Sequence, residues 1–374
     1  MLDLHLAYQE TDNLRDLLVQ WDAQIAGEPP VAQYRWTNIA LWPVARGATV
    51  AASTGIEGNL LTSAQVDEVL AGVAVDARQA DIREVLNYNR ALDFANRAAL
   101  RDDFEWTQEL LRRLNAIVME GLEDDEGGEY RHEPVVVGAG QYTPPEWQRL
   151  PALMSNLTEW LRAVADYHPI IRAGLTHLNL VSIHPWLNGN GRTARIAGSL
   201  MLMRCGVASP EILSVESDIR TDVGAYFSVL QHTQGPTYQP DRHSATEWLE
   251  YFAGVCTRRL EVEARLTSAL QLDVGQLVMD LTDAGLPTDW TPILLSASLA
   301  PIRVTALAER LELSPSRVRS MAQEMARTGW LDAVGEYRGR RYVAGPRLLG
   351  LRLNGPRIVG RFRGLIGGGQ PGSE

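Results

Sequence analysis

The sequence contains no lysine: all 35 of its basic residues are arginine. That absence excludes a set of chemistries. There is no Walker-type phosphate-loop lysine, no protein-kinase strand lysine, no lysine Schiff base and no Ser-x-x-Lys nucleophile pair. Any phosphate held by this chain must be held by arginine forks, backbone N–H groups or a metal ion. Cysteine is scarce as well. Cys205 and Cys256 lie in apolar helical stretches without metal-ligand spacing, which points to a reducing, cytoplasmic setting. No apolar run approaches ~18 residues, and the first residues lack a basic, apolar leader pattern. A soluble protein with no membrane partner is expected.

At 374 residues, against a prior of about 150 per domain, two or three domains are expected. With 45% hydrophobic and 22% charged residues, the chain can build real cores. Its net charge of -11 argues against non-specific binding of the whole molecule to nucleic acid or membrane. The charge is uneven, however, with eight arginines against two acids from Glu336 to Glu374. A mainly α-helical chain is expected, in four parts. Residues 1–100 read as helices around a Gly/Pro loop (Gly27 to Pro30), with a capping-box helix start at Thr62-Ser-Ala-Gln65. Residues 101–265 form a helical core, with apolar spacings of three and four in 104–118, 153–164 and 196–203. Residues 276–345 have their own helical periodicity, and 346–374 are a basic, weakly ordered tail. There is no internal repeat. Within the core, an acidic loop (Glu120 to Gly128) precedes a β-like run, Glu133-Pro-Val-Val-Val137. Val135 to Gly140 superficially resembles a dinucleotide-binding turn, but the third glycine is missing and Pro144-Pro145 sits where the helix should propagate. A short β-hairpin or flap fits better.

The stretch rich in chemistry is His184-Pro-Trp-Leu-Asn188-Gly189-Asn190-Gly191-Arg192-Thr-Ala-Arg195. An apolar helix (Ile170 to Ile183) ends at His184-Pro185, and another begins near Arg192. Between them, Asn-Gly-Asn-Gly tolerates positive φ and lets backbone N–H groups converge. A glycine-rich turn opening a helix is an anion site. Arg192 and Arg195, three residues apart, share a helix face and can both reach a polyphosphate. His184 lies at the mouth of this cradle, where a neutral imidazole could accept the proton of an attacking hydroxyl. Taken singly, a His-Pro or Asn-Gly pair would only break or turn a helix. Together they suggest transfer of a phosphate-containing group.

This stretch resembles the signature of Fic-domain proteins of the Fic/DOC family: His-Pro-Phe, any residue, Asp or Glu, Gly-Asn-Gly-Arg, two residues, Arg. Other segments agree over about residues 30–265. Gly128-Glu-Tyr-Arg131 through Val137 and Pro144-Pro145 resembles the lead into the family's target-binding flap, with Val135, Val136 and Val137 as the edge on which a target strand could add. Leu213-Ser214, Tyr226 to Leu230 and Trp248 to Phe252 resemble the helices after the motif. Ser53-Thr-Gly-Ile-Glu57-Gly58 resembles the inhibitory motif of the subgroup whose inhibitory helix precedes the core. The resemblance implies transfer of AMP from ATP, with Mg²⁺, to a hydroxyl side chain of a target protein. His184 would be the base. Asn190 and the amides of Gly189 to Arg192 would hold the α- and β-phosphates, with Arg192 on the β- and Arg195 on the γ-phosphate. Glu57 would pair with Arg195 and block the γ-phosphate; without the motif around it, Glu57 would be an ordinary surface acid. Two positions depart from the pattern. Trp186 stands for the usual Phe, and Asn188 for the acid that holds Mg²⁺. A neutral side chain with one carbonyl oxygen is a poorer ligand for a hard dication, so slow or altered transfer is expected.

Val304 to Leu311, Ser314 to Val318 and Met321 to Leu331 read helix, tight turn, helix, with Ser314 as N-cap and Pro315 in the first turn. Leu331 to Val343 reads as a two-stranded wing bearing Arg338, Arg340 and Arg341, so the module resembles a winged helix-turn-helix. One reading is binding of double-stranded DNA, with Arg317 and Arg319 on the recognition helix and the wing on phosphates. The other is a protein-contact module, including a homodimer contact. Three functions follow: a self-inhibited AMP transferase, a nucleotide-sensing DNA-binding regulator with a weakened site, or a Fic enzyme moving another phosphate-containing group. His5, His132, His168, His177, His232 and His243 lack partners at ligand spacing and carry no assigned role.

Overall fold

In the computed structural model, residues 3–27, 35–122, 127–138, 141–163, 166–207, 214–336, 340–357 and 359 are described. Ala139 and Gly140 of the flap, Leu213, Arg338, Arg361 and Arg363 lie outside them, as do residues 28–34, 123–126 and the tail beyond 359. The elements run α1 (Asp12–Gly27), α2 (Arg35–Ile56), α3 (Ser63–Leu70), α4 (Gln79–Ala99), α5 (Gln108–Met119), α6 (Leu150–Ala163), α7 (Pro169–Ile183), α8 (Asn190–Arg204), α9 (Val215–Thr221), α10 (Val223–Gln234), α11 (Thr246–Asp283), α12 (Thr291–Leu299), α13 (Val304–Leu311), α14 (Pro315–Arg327), β1 (Leu331–Val334), β2 (Arg341–Ala344) and α15 (Pro346–Gly350). The chain is mainly α-helical, with a small antiparallel sheet near its C-terminal end. No described helix is long and apolar enough to cross a membrane.

Helix starts follow their local chemistry. The Thr62 hydroxyl accepts from the Gln65 amide at 3.3 Å while Gln65 Oε1 accepts from the Thr62 amide at 3.0 Å, closing the expected capping box of α3. Ser314 accepts from the Arg317 amide at 3.2 Å and Pro315 fills the first turn of α14. Each such cap contributes about 1 kcal/mol.

α7 is the central helix. It is buried on nearly every side, from Ile170 to Ile183, and packs against α8. Trp248 of α11 donates its Nε1–H to the Gly174 carbonyl at 2.7 Å, fastening α11 to it. α7 ends where His184 turns left-handed (φ 50°, ψ 59°) and Pro185 cannot continue the ladder. α8 then opens from Gly189 at φ 77°.

Two large apolar cores form. One gathers α1, the C-terminal half of α2 (Val50, Ala51, Ile56), α4 to α10 and the first part of α11. The other gathers the rest of α11 (Leu266, Leu270, Leu277, Leu281), α12 to α15, the sheet, and Ile39, Ala40, Leu41 and Val44 from the start of α2. Both α2 and α11 therefore belong to both cores, and the expected limits at 265 and 276 fall inside one helix, α11.

The sheet pairs Leu331 with Ala344 through Val334 with Arg341. Ile302, just before α13, adds to it by exchanging two hydrogen bonds with Tyr342 (2.8 and 3.0 Å). At the flap, a regular hairpin is not formed among the described residues. Only Val137 pairs, with Tyr142. Val135 and Val136 make no backbone hydrogen bond among the described residues, and Val136 is exposed. The reason lies in Pro134, which has no N–H to give a ladder.

Candidate active site

The α7–α8 turn builds the site. His184 N–H donates to the Leu180 carbonyl at 3.1 Å, and its Nδ1 lies 3.3 Å from the Val181 carbonyl. That contact places the ring proton on Nδ1 and leaves the Nε2 lone pair as an acceptor. Burial of the ring, the largest influence, and the Arg131 guanidinium lower the His184 pKa to about 4, against the Val181 carbonyl and Glu57, which raise it. The imidazole is neutral at pH 7, as a general base requires.

Arg131, 2% exposed, holds this turn to the flap. Its Nε–H donates to the His184 carbonyl (2.8 Å), Nη1 to the Glu133 carbonyl (3.0 Å) and Nη2 to the Pro145 carbonyl (2.6 Å). Its backbone N–H adds a bond to the Pro185 carbonyl at 2.9 Å. It therefore fixes both the His184 turn and the segment at Glu133.

The cradle is shaped by close approach. A Cβ on Gly189 would stand 2.9 Å from both Asn115 Nδ2 and Met119 Sδ. Asn115 clamps the turn, donating to the Asn188 carbonyl (3.0 Å) and the Thr193 hydroxyl (3.2 Å) and accepting from the Gly128 amide (2.9 Å). Asn190 differs from expectation. Its Oδ1 accepts from the Trp186 amide (3.1 Å) and its Nδ2 donates to the Trp186 carbonyl (2.8 Å), so it braces the turn instead of offering its amide to a ligand. Trp186 is buried at 1% exposure, filling its slot despite its size. Asn188 is exposed.

Both arginines point to carboxylates. Arg195 Nη2 donates to Glu57 Oε1 at 2.7 Å and to the Ser53 carbonyl at 3.1 Å, while its Nε–H donates to the Ser53 hydroxyl at 2.8 Å. The side chain of Arg195 is 2% exposed and that of Glu57 30%. Burial pushes the Glu57 carboxyl upward, but Arg195 and Arg192 outweigh it and hold the group below its ordinary range. A Cβ on Gly191 would collide with Glu57 Oε1, so the carboxylate lies over the first turn of α8, where a phosphate would bind. Gly58, left-handed at φ 96°, turns the chain out immediately after it.

Sequence reasoning did not find Glu84. Arg192 Nη1 donates to Glu84 Oε1 at 2.6 Å, with both side chains mostly buried. Asn59, just beyond the Ser53–Gly58 segment, donates to Glu84 Oε2 at 2.7 Å. Burial, more than Glu57, raises the Glu84 pKa against Arg192, which lowers it. Around Arg195, Tyr88 donates to the buried Glu216 at 3.2 Å, and His177, with its pKa lowered to about 3 by burial, shares a 2.9 Å hydrogen bond with Tyr226. Among the described residues no group of three His, Cys, Asp or Glu could hold a metal ion. Asn188 brings a single neutral oxygen, and the nearby carboxylates Glu57 and Glu84 are paired with arginines. This donor set does not fit a protein-held Mg²⁺.

Residues 105–202 match the Fic/DOC family model. The chain is 31% identical over 237 residues to a protein adenylyltransferase Fic of Drosophila willistoni, covering 62% of this chain and 44% of that protein. A relative of the same name from Drosophila virilis is 38% identical over 158 residues, 41% of this chain and 32% of that protein. The chain thus spans less than half the length of the curated relatives it matches. A crystal structure of a Fic family protein from Desulfovibrio desulfuricans G20 aligns with 91% of this chain and 98% of its own, at a TM-score of 0.61 and 23% identity, a likeness of fold. The motif of residues 184–195 lies inside the segment that matches the Fic/DOC family.

Proposed function

We propose that this chain is a self-inhibited protein adenylyltransferase. His184 Nε2 takes the proton of a target hydroxyl as its oxygen attacks the α-phosphorus of ATP. The bond to the β-phosphate oxygen breaks, and pyrophosphate leaves. The backbone amides opening α8 hold the phosphates, Arg192 and Arg195 grip the β- and γ-groups, and the unpaired edge at Val135 and Val136 takes the target as an added strand. The observation that carries this reading is the Glu57–Arg195 pair, lying over the helix start beside a neutral histidine. The Glu84–Arg192 pair acts in the same sense, so ATP must displace two carboxylates. Mg²⁺, where used, arrives on the phosphates of ATP.

Mass spectrometry of the Glu57→Gly protein incubated with ATP and Mg²⁺ tests this. A gain of one AMP on the protein itself or on a lysate protein is expected, and the mass added separates AMP from any other phosphate-containing group. No added mass, with ATP binding intact, favours the nucleotide-sensing regulator instead. That second reading draws on the C-terminal module, which has the order of a winged helix-turn-helix and exposes Arg317 and Arg319 on α14. Arg341 does not join this face, because it lines a cavity against α2 and α3. A salt-dependent shift of duplex DNA by the full chain supports DNA binding, and no shift leaves the module as a protein contact.

A further inference from the structure

A cavity of about 740 Å³ lies away from the α7–α8 turn, where the first half of α2, helix α3 and the α13–β2 region meet. Its volume is in the range of pockets that enclose small organic molecules. Ile39, Pro43, Leu70, Pro301 and Leu307 give it apolar walls. Trp42 presents a ring there, with the Arg310 guanidinium 3.1 Å and the Arg46 guanidinium 5.3 Å from its centroid.

The charged lining is unbalanced. Arg46, Arg303, Arg310 and Arg341 line the cavity together with Asp67 and Glu68. Arg46 is paired with Asp93 at 2.6 Å. Arg303 and Arg341 have no side-chain hydrogen bond or ion pair among the described residues, and the Nε of each is shielded from water without a partner. A shielded guanidinium N–H without an acceptor is costly, and the group that satisfies it best is a planar oxyanion.

We propose that this cavity binds a small organic anion: an aromatic or apolar body against Trp42 and Leu307, with one oxyanion group on Arg303 and Arg341. Trp42 of the cavity wall and Ser53 lie on one helix, α2, and Glu57 follows its last residue. At 1.5 Å per residue, the eleven residues from Trp42 to Ser53 span about 16 Å of α2. An occupant therefore packs directly on the helix whose far end meets Arg195.

The probe is 8-anilinonaphthalene-1-sulfonate, an aromatic anion that fluoresces in apolar surroundings, titrated into the full chain. Its neutral counterpart, N-phenyl-1-naphthylamine, serves as control. The sulfonate is expected to bind saturably, one per chain, and to slow amide exchange across residues 39–46. The double variant Arg303→Gln, Arg341→Gln is expected to weaken sulfonate binding by about tenfold or more, while neutral-dye binding stays within about twofold. Ala306→Trp, which fills the cavity and leaves both arginines in place, is expected to abolish binding of both dyes. Unchanged sulfonate binding in the double variant overturns the anion assignment. Unchanged binding of both dyes in Ala306→Trp overturns the site.

Discussion

Glu84→Gln is the perturbation that most sharply tests the two-carboxylate reading of the nucleotide site. The pair it removes is short and mostly buried: Arg192 Nη1 stands 2.6 Å from Glu84 Oε1, with side chains 9% and 14% exposed. A hydrogen bond to a charged group is worth about 1.5–3 kcal/mol net. Glutamine keeps the shape and one weaker acceptor, so about 1–2 kcal/mol of competition with a β-phosphate is lost. At 1.4 kcal/mol per decade, ATP should bind about 5- to 30-fold more tightly. The fold should tolerate the change, because burial already favours the neutral form of this carboxyl and the amide still accepts from Asn59. Isothermal titration of ATP into wild type, Glu84→Gln, Glu57→Gln and the double variant is the assay. The double variant should gain more than the sum of its parts, since Glu57 and Glu84 repel one another and removing one alone leaves the other a stronger competitor. Unchanged or weaker ATP binding by Glu84→Gln would refute the reasoning, and would make Glu84 a positioning residue that orients Arg192 for phosphate.

Other outcomes follow from the same geometry. Because the His184 pKa lies at about 4 with Glu57 raising it, the acid limb of kcat/KM for AMP transfer by Glu57→Gly should fall at or below about pH 4, not near the ordinary 6.5 of histidine. The imidazole is neutral above its pKa, so activity is retained down through pH 5; a limb at 6.5 contradicts the burial argument. Arg131→Leu strands three carbonyls and should lower stability by about 3–5 kcal/mol, read as a drop in chemical-denaturation midpoint. A change under about 1 kcal/mol would show that the flap does not depend on it. Adding Asn188→Asp to Glu57→Gly should raise the rate of Mg²⁺-dependent transfer, measured as AMP incorporated per minute. Equal rates would show that Asn188 suffices.

What could be read from the chain was what local chemistry dictates. The Thr62–Gln65 box and the Ser314 cap are written in four consecutive residues, and the turn at His184–Gly191 in eight. The Glu57–Arg195 pair spans a long separation, yet a motif resemblance pointed to it. Glu84 and Asn59 gave no such signal. In sequence, Glu84 is one acid on an amphipathic helix, and only the packing of α4 beside α8 brings it to Arg192. Arg131 could be located but not explained, since its partners are backbone carbonyls, which every residue has. The regular flap strand expected at Val135 to Val137 gave way to a single pair because a proline precedes it. The shared helices were hidden for a different reason: a periodic apolar stripe says that a face is covered, not which core covers it.

That sharing has a practical consequence for anyone dissecting the protein. A fragment ending near residue 265 would leave Ile39, Ala40, Leu41 and Val44 of α2 wet. A fragment starting near residue 276 would lack those four side chains along with Leu266 and Leu270. Neither piece would own a complete interior, so cutting at the places where composition changes would yield sticky halves, and heat should melt the intact chain in one cooperative step.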